Sequence, residues 1–310
     1  YHKGAYNNLR DSYNIILKYI EDNGYEIIDN ARECYIDGCW NKENEEDNLA
    51  EKILSKEEYD NISINMSKGI KFFNPKFTGN NNEALDWIVN NNLALSILAR
   101  STFTAKSIQR DKRLGLKQYL IFASGYDTYG YSDKELQCYE LDKANIIKDK
   151  IKRVKNANID YSNVKYIETD FSLDDWQNYL INSDIKWNKK VFCSMLGISY
   201  YLTKDQFYNM VNKISKLICK GSTIIFDYPI IEDSEKEEIT RKLAKGANEE
   251  MKSNYSYEEL ESKFQEYDLL IYEHLDDKDI NEQYFKEYNL KSKNKIIAPK
   301  GVNYCLIVKR

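Results

Sequence analysis

An α/β fold is what the sequence predicts: a doubly wound, mostly parallel sheet of seven strands preceded by a helical extension. Three observations carry that prediction. From about Lys117 onward, strand-like apolar runs alternate with helical patterns, the arrangement of a parallel sheet covered on both faces. The first of these runs, Gln118 to Ala123, passes straight into a small-residue turn and a carboxylate, Ser124-Gly-Tyr-Asp-Thr128. Residues 1–110, by contrast, show helical periodicity and no convincing strand alternation.

Taken in order, the extension reads as helices at Tyr6–Asn23, Glu26–Tyr35, Asn48–Tyr59 and Glu83–Ile108, broken by Asn-rich and Gly/Pro-containing segments. It is expected to pack on or over the sheet edge as a lid. The acidic patch Glu43–Asp47 reads as a solvated loop. The strand runs are Gln118–Ala123, Gln137–Leu141, Val164–Thr169, Lys190–Met195, Ser222–Tyr228, Asp268–His274 and Tyr304–Val308. Helices are expected between them at Lys143–Asn156, Leu173–Asn182, Lys204–Cys219, Ser256–Glu266 and Asp279–Tyr288. Thr203 and Ser256 precede acidic or amide residues at capping-box spacing. The basic run Lys143–Lys155 places Ile146, Ile147, Ile151 and Val154 on one side, which predicts an amphipathic helix with a solvated basic face. The domain boundaries that follow are 1–110 for the extension and 111–310 for the sheet domain, with an irregular insertion near 230–265.

Composition narrows the class. With 42% hydrophobic and 31% charged residues in 310, the chain can bury a sizeable core. A net charge of −5 argues against a dedicated nucleic-acid partner, which would need clustered basic surface. The six cysteines, at 34, 39, 138, 193, 219 and 305, form no Cys-x-x-Cys pair and several lie within apolar patterns. That is the pattern of reduced, buried thiols in a cytoplasmic protein. No apolar run reaches the length of a membrane span, and Tyr1-His-Lys-Gly-Ala carries no signal core and no initial Met, as in a trimmed start. The 26 tyrosines fit a codon bias and not a function.

In an open α/β sheet, ligands bind beyond the carboxyl ends of the strands. Ala123 and Ser124 keep that edge small, and Gly125 allows positive φ and close ligand approach. A dinucleotide fingerprint would place glycines at 123, 125 and 128, where this chain has Ala123, Gly125 and Thr128. Pyrophosphate binding is therefore poorly supported. A sulfonium nucleoside of the S-adenosylmethionine type needs a small turn, an acid for the ribose diol and an acid near the adenine amino group. Asp142, at the end of the second strand, and Asp170, at the end of the third, are placed for those two tasks, with Phe171 offering an apolar face to the base. A carboxylate edge also suits a cationic ligand better than an anionic one. Each acid alone can also be read as a helix cap or turn former, and it is their joint spacing that points to the nucleoside.

These residues resemble the leucine carboxyl methyltransferase-like group of class I S-adenosylmethionine-dependent methyltransferases, which includes polyketide O-methyltransferase relatives. The group's first turn, Gly-Ala-Gly-φ-Asp-Thr, is matched by Ala123-Ser-Gly-Tyr-Asp-Thr128; its Glu-φ-Asp by Glu140-Leu-Asp142; and its Val-Asp-Leu-like triplet by Thr169-Asp170-Phe171. Its Ala-Arg-Thr, whose arginine clamps the methionine carboxylate, is matched by Ala99-Arg100-Ser101, and its segment after strand four by Leu196-Gly-Ile-Ser-Tyr-Tyr-Leu202. The resemblance covers roughly Asp86 to Tyr228, and more faintly Ala31-Arg-Glu33. It departs at Ala123, where the family has glycine, at Ala105, where an acid is usual, and at Leu196, where it has glutamate.

The resemblance implies a Rossmann-like methyltransferase fold, S-adenosyl-L-methionine as cofactor, and donor contacts from Arg100, Ala123, Gly125, Asp127, Asp142, Asp170, Phe171 and Leu196. Asp127 reads equally as an acceptor for the donor's amino group and as a cap of the turn. Tyr200, Tyr201 and His274 are candidates for the acceptor pocket, with His274 also readable as a structural residue and His2 set aside in the terminus. No histidine or cysteine spacing suits a metal. The expected activity is O-methylation of a carboxylate or hydroxyl on a small molecule or peptide terminus, without nucleic-acid or membrane partners. A degenerate methyltransferase fold used as a binding module, and a nicotinamide-dependent oxidoreductase, stand as the alternatives. The acceptor and the oligomeric state have no sequence signal.

Overall fold

β1 (Gln118–Phe122) forms from five consecutive apolar or amide-ended residues and is buried along its whole length, as expected of an inner strand of a parallel sheet. In the computed structural model it pairs in parallel with β2 (Gln137–Asp142) on one side and β4 (Val191–Met195) on the other. With β3 (Val164–Glu168), β5 (Thr223–Pro229), β6 (Leu269–Leu275) and β7 (Val302–Lys309) it builds a seven-stranded sheet in the order β3-β2-β1-β4-β5-β7-β6. β7 runs antiparallel to both of its neighbours. The structure describes residues 94–230, 251–291 and 295–310, with 74–80 and positions 53, 70, 83, 84 and 87. The expected helices Tyr6–Asn23 and Glu26–Tyr35, most of Asn48–Tyr59, the patch Glu43–Asp47, His2, Cys34, Cys39 and positions 231–250 of the insertion lie outside the described residues.

Among the described residues the helices are α1 (Ala94–Arg113), α2 (Tyr129–Ser132), α3 (Ala144–Asn156), α4 (Gln177–Ile181), α5 (Lys204–Leu217), α6 (Tyr257–Glu266), α7 (Asp277–Ile280) and α8 (Lys286–Lys291). Side-chain alternation along each strand sends successive residues to opposite faces. Tyr119 and Ile121 therefore join Ala99 and Phe103 of α1, while Leu120 and Phe122 join Phe207 of α5 and Leu260 of α6. The order reverses between β1 and β4, which opens a crevice at their carboxyl ends.

Most strand bounds match the sequence reading within two residues, and the differences have local causes. β1 ends at Phe122 because Ala123 turns into the left-handed region at φ +49°, and β6 starts at Leu269 because Asp268 does the same at φ +59°. Thr203 completes a full capping box with Gln206, and Ser256 accepts from the Glu259 N–H. The helix expected over Leu173–Asn182 is confined to Gln177–Ile181. Asp170 accepts from the backbone N–H and the hydroxyl of Ser172, and this Asx turn competes with helical bonding. The helix expected over Asp279–Tyr288 is broken by a π-helical turn, Asn281–Phe285, between α7 and α8. α3 buries Ile147, Lys150 and Val154, so one lysine of its basic run faces inward. The boundary drawn between residues 110 and 111 falls inside α1.

Candidate functional site

Two hydrogen-bonded clusters stand at the carboxyl ends of the central strands. The first is the turn after β1. The Asp127 N–H closes it onto the Ser124 carbonyl at 2.8 Å, and the Ser124 N–H reaches across to the Leu141 carbonyl at 3.0 Å. Gly125 sits at φ +45°, and its N–H donates to Asp142 Oδ2 at 2.8 Å, while Asp142 Oδ1 accepts from the Lys143 N–H at 2.8 Å. Asp142 is 2% exposed. It thus fixes the β1 turn to the end of β2. Asp127 Oδ1 accepts from the Tyr129 N–H at 2.8 Å and so closes the turn that leads into α2, whose N-cap is Thr128.

Ala123 occupies the position where the resembled family has glycine, and it adopts the left-handed conformation that glycine would supply. An L-residue pays roughly 1 kcal/mol for this. The left-handed step after β1 is thus made by an alanine at a strain cost.

The second cluster gathers around Asp227, near the end of β5 and 1% exposed. Arg100 Nη1 of α1 donates to Asp227 Oδ2 at 3.2 Å, and the Tyr200 hydroxyl donates to the same oxygen at 3.2 Å. The Gly197 N–H donates to Oδ1 at 2.6 Å, and Ser199 Oγ donates to the Asp227 carbonyl at 2.7 Å. Gly197 lies at φ +66°, and a Cβ there would stand 3.2 Å from Arg100 Nη1. One buried carboxylate therefore joins α1, the corner after β4 and β5. Burial acts on the Arg100 guanidinium against its charge, but Asp227 and Tyr200 more than offset it and leave its pKa raised.

The two clusters are electrostatic neighbours. Burial pushes the Asp127 carboxyl up to about 6, while Lys150, the Tyr129 N–H and Arg100 pull it back. Burial pushes Glu140, on β2, up to about 7 against the pull of Lys150.

The remaining expected residues are placed as follows. Asp170 is held below the usual carboxylate range by its bonds from Ser172. Phe171 packs between Phe122 and Trp176, with ring centroids at 5.7 and 5.4 Å. Leu196 follows β4 and is half-buried. The Tyr201 ring lies 6.1 Å from that of Tyr200. His274 is not part of either cluster. It lies on the α6 face, where Nε2 is 2.8 Å from the Tyr228 hydroxyl and the ring is 5.0 Å from that of Tyr257; burial lowers its pKa.

Sequence reasoning missed Asp227, Gly197 and Lys150. The available signal for Asp227 was an acid inside an otherwise apolar strand run, Thr223-Ile-Ile-Phe-Asp-Tyr-Pro229. Taken together, the site offers a guanidinium, two buried carboxylates, Asp127 and Asp142, and backbone at positive φ. Ser124 Oγ and Thr128 Oγ1 are buried there without a partner. This donor set fits a nucleoside bearing a cation and a carboxylate, whereas a pyrophosphate would meet like charge. Among the described residues no cluster of metal-ligating side chains occurs, and no helix is long and apolar enough to cross a membrane.

One family model and one curated relative show the family, and a solved structure shows the fold. The model of the leucine carboxyl methyltransferase family matches residues 31–215. A Bacillus subtilis (strain 168) protein, YktD, provisionally named an S-adenosyl-L-methionine-dependent methyltransferase, is 30% identical over 280 residues, covering 86% of this chain and 90% of its own. A Streptomyces avermitilis MA-4680 protein of the DUF574 family shares the fold at TM-score 0.54 and 13% identity, over 79% of this chain and 97% of that one. The chain spans 51% of an O-methyltransferase family protein from Burkholderia thailandensis, with 62% of this chain covered, 9% identity and TM-score 0.43.

Proposed function

This chain belongs to the leucine carboxyl methyltransferase family and is an S-adenosylmethionine-dependent methyltransferase; from that premise we propose that it methylates an oxygen, on a carboxylate or a hydroxyl, of a small molecule or a peptide terminus. The observation that carries the reading is the meeting of the Arg100–Asp227 pair with the Asp127–Asp142 turn at the β1/β4 reversal. In this reading Arg100, oriented through Nη1, presents the rest of its planar fork to the donor's carboxylate. Asp127 faces the donor's ammonium, Asp142 accepts from the ribose hydroxyls, and Asp170 and Phe171 border the adenine. Ala123 and Gly125 let the backbone run close beside the donor.

Bound in this crevice, the donor supplies an activated methyl group and leaves as a neutral thioether. The chain's contribution is then alignment and exclusion of water. Leu196 borders the methyl side with an apolar chain, and Tyr200 and Tyr201 line the acceptor side. Burial and the neighbouring Asp227 drive the Tyr200 phenol well above its ordinary pKa, so it donates a hydrogen bond and does not act as a base. His274 is engaged with Tyr228 on the opposite face. A carboxylate acceptor is already an anion and needs no base, which favours it over an alcohol. With the boundary moved from 110/111 to the start of α1, the residues before Ala94 are proposed as the lid, the chain from α1 onward as the catalytic domain, and the segment between β5 and α6 as the acceptor insertion.

The test uses donor labelled in the methyl group, incubated with the full chain and a pool of small carboxylic acids and phenols. Label released as methanol by alkali supports ester formation, and alkali-stable label on phenolic oxygen supports ether formation. Label found only on nitrogen or sulfur overturns the proposal.

A further inference from the structure

The turn after β1 is held from α3 as well as from β2. Tyr126, between Gly125 and Asp127, is half-buried, and its hydroxyl donates to Asp149 Oδ2 of α3 at 2.5 Å. Arg153, four residues further along α3, donates through Nε to the same oxygen at 2.5 Å, and its guanidinium stands 5.2 Å from the centre of the Tyr126 ring. Residues four apart share one face of a helix, so Asp149 and Arg153 meet the ring together. The Arg153 and Asp149 side chains are 19% and 38% exposed, and ion pairs this open to solvent add little to global stability. The backbone they are tied to is another matter. Ala123 and Gly125 both take positive φ, +49° and +45°, and a non-glycine residue keeps such a conformation only where its surroundings over-determine it.

We propose that the Tyr126–Asp149–Arg153 cluster is a latch that holds the β1 turn in its donor-binding shape, with Tyr126 as a positioning residue for S-adenosylmethionine. The inference rests on the reading that the donor lies against this turn. The latch acts through the backbone on either side of Tyr126. The amide before it, of Gly125, donates to Asp142, and the amide after it, of Asp127, closes onto the Ser124 carbonyl. Released from α3, the segment 124–127 gains conformations that do not present Gly125 and Asp127 together. A ligand binds only the competent fraction, so its apparent affinity falls in proportion to that fraction. Such a loss appears in the association rate, because a protein that must first rearrange captures its ligand more slowly. Once the donor is seated its contacts are those of wild type, and the dissociation rate is kept. A side chain that touched the donor would show the reverse, with faster dissociation.

The probe is S-adenosylhomocysteine, with association and dissociation rate constants read by surface plasmon resonance on the full chain and urea unfolding run beside them. Tyr126→Phe keeps the ring under Arg153 and removes only the hydroxyl bond. Its association rate constant is expected to fall about three- to tenfold, a share of what one hydrogen bond to a charged group is worth, with dissociation within about twofold of wild type. Asp149→Ala should do the same. Asp149→Asn, whose amide oxygen still accepts the phenol, should stay near wild type. The double variant Tyr126→Phe with Asp149→Ala should be no slower than the slower single, because both remove one interaction. A cluster that only stabilises the fold lowers the urea midpoint of Tyr126→Phe and leaves both rate constants unchanged, and that result overturns the proposal. Faster dissociation at an unchanged association rate overturns it as well, since Tyr126 would then touch the ligand itself. Asp142→Ala checks the underlying reading: if it binds the probe at wild-type rates, the donor does not lie on this turn, and the proposal falls with that reading.

Discussion

Replacing Asp227 by asparagine removes one charge and almost no volume at the junction of α1, β4 and β5. The amide oxygen can still accept from the Gly197 N–H, now 2.6 Å from Oδ1, so no backbone donor is orphaned. What is lost is the countercharge of Arg100, whose side chain is 21% exposed while that of Asp227 is 2% exposed. Leaving a buried charge uncompensated costs about 3–5 kcal/mol, and the partial exposure of Arg100 brings the expectation to the low end, about 2–3 kcal/mol. Tyr200→Phe, which removes only the phenol bond to Oδ2, should cost about 1 kcal/mol. Urea unfolding of the two variants reads both numbers. A double replacement, Arg100→Met with Asp227→Asn, should cost less than the sum of the singles because it removes both charges. The same Asp227→Asn protein should bind S-adenosylhomocysteine about tenfold more weakly, since Arg100 loses the group that aims it. Stability within 0.5 kcal/mol of wild type, a range roughly expected of surface changes, would refute the reasoning about the buried pair.

Other outcomes follow from the same geometry. Ala123→Gly should be tolerated or stabilising by up to about 1 kcal/mol, because relief of the left-handed strain outweighs most of glycine's extra chain entropy; Ala123→Val at the same φ should destabilise, and thermal melting of both decides it. Asp142→Ala frees the Gly125 and Lys143 N–H groups, so it should cost about 2 kcal/mol in urea and abolish measurable S-adenosylhomocysteine binding. Glu140 and Asp127 have folded pKa values raised to about 7 and about 6, so the folded protein binds more protons than the unfolded chain between pH 5 and 8. The stability they contribute is fully present below their unfolded values and is lost as pH rises through about 6 and about 7; urea midpoints should fall with rising pH across that window, and Glu140→Gln should reduce the fall.

How much of this was legible in the sequence depends on how local the cause is. The β runs and the Thr203 cap are set by neighbours in sequence, and their positions were readable. So was the family, through five short motifs whose order is preserved along the chain. The strand order, with β7 inserted antiparallel between β5 and β6, arises from tertiary pairing and leaves no periodic mark. Lys150 shows the same limit at one residue. Its inward face is visible in the spacing of Ile147 and Val154, but a lysine on that stripe reads as solvated until Glu140 is seen beside it. Asp170 and Phe171 were found from spacing, yet the Asx turn with Ser172 that shortens the following helix depends on side-chain hydrogen bonding. Arg100 was found from its motif, whereas its partner Asp227 lies 127 residues away.

The central claim is that the donor lies across the β1 and β4 ends, between Arg100 and Asp142. Hydrogen–deuterium exchange of the full chain, with and without saturating S-adenosylhomocysteine, tests it most directly. The account predicts slowed exchange in the segments 123–128, 142–143, 169–171 and 196–201, with the antiparallel β6–β7 pair unchanged. Ligand-induced protection confined to other segments would contradict it.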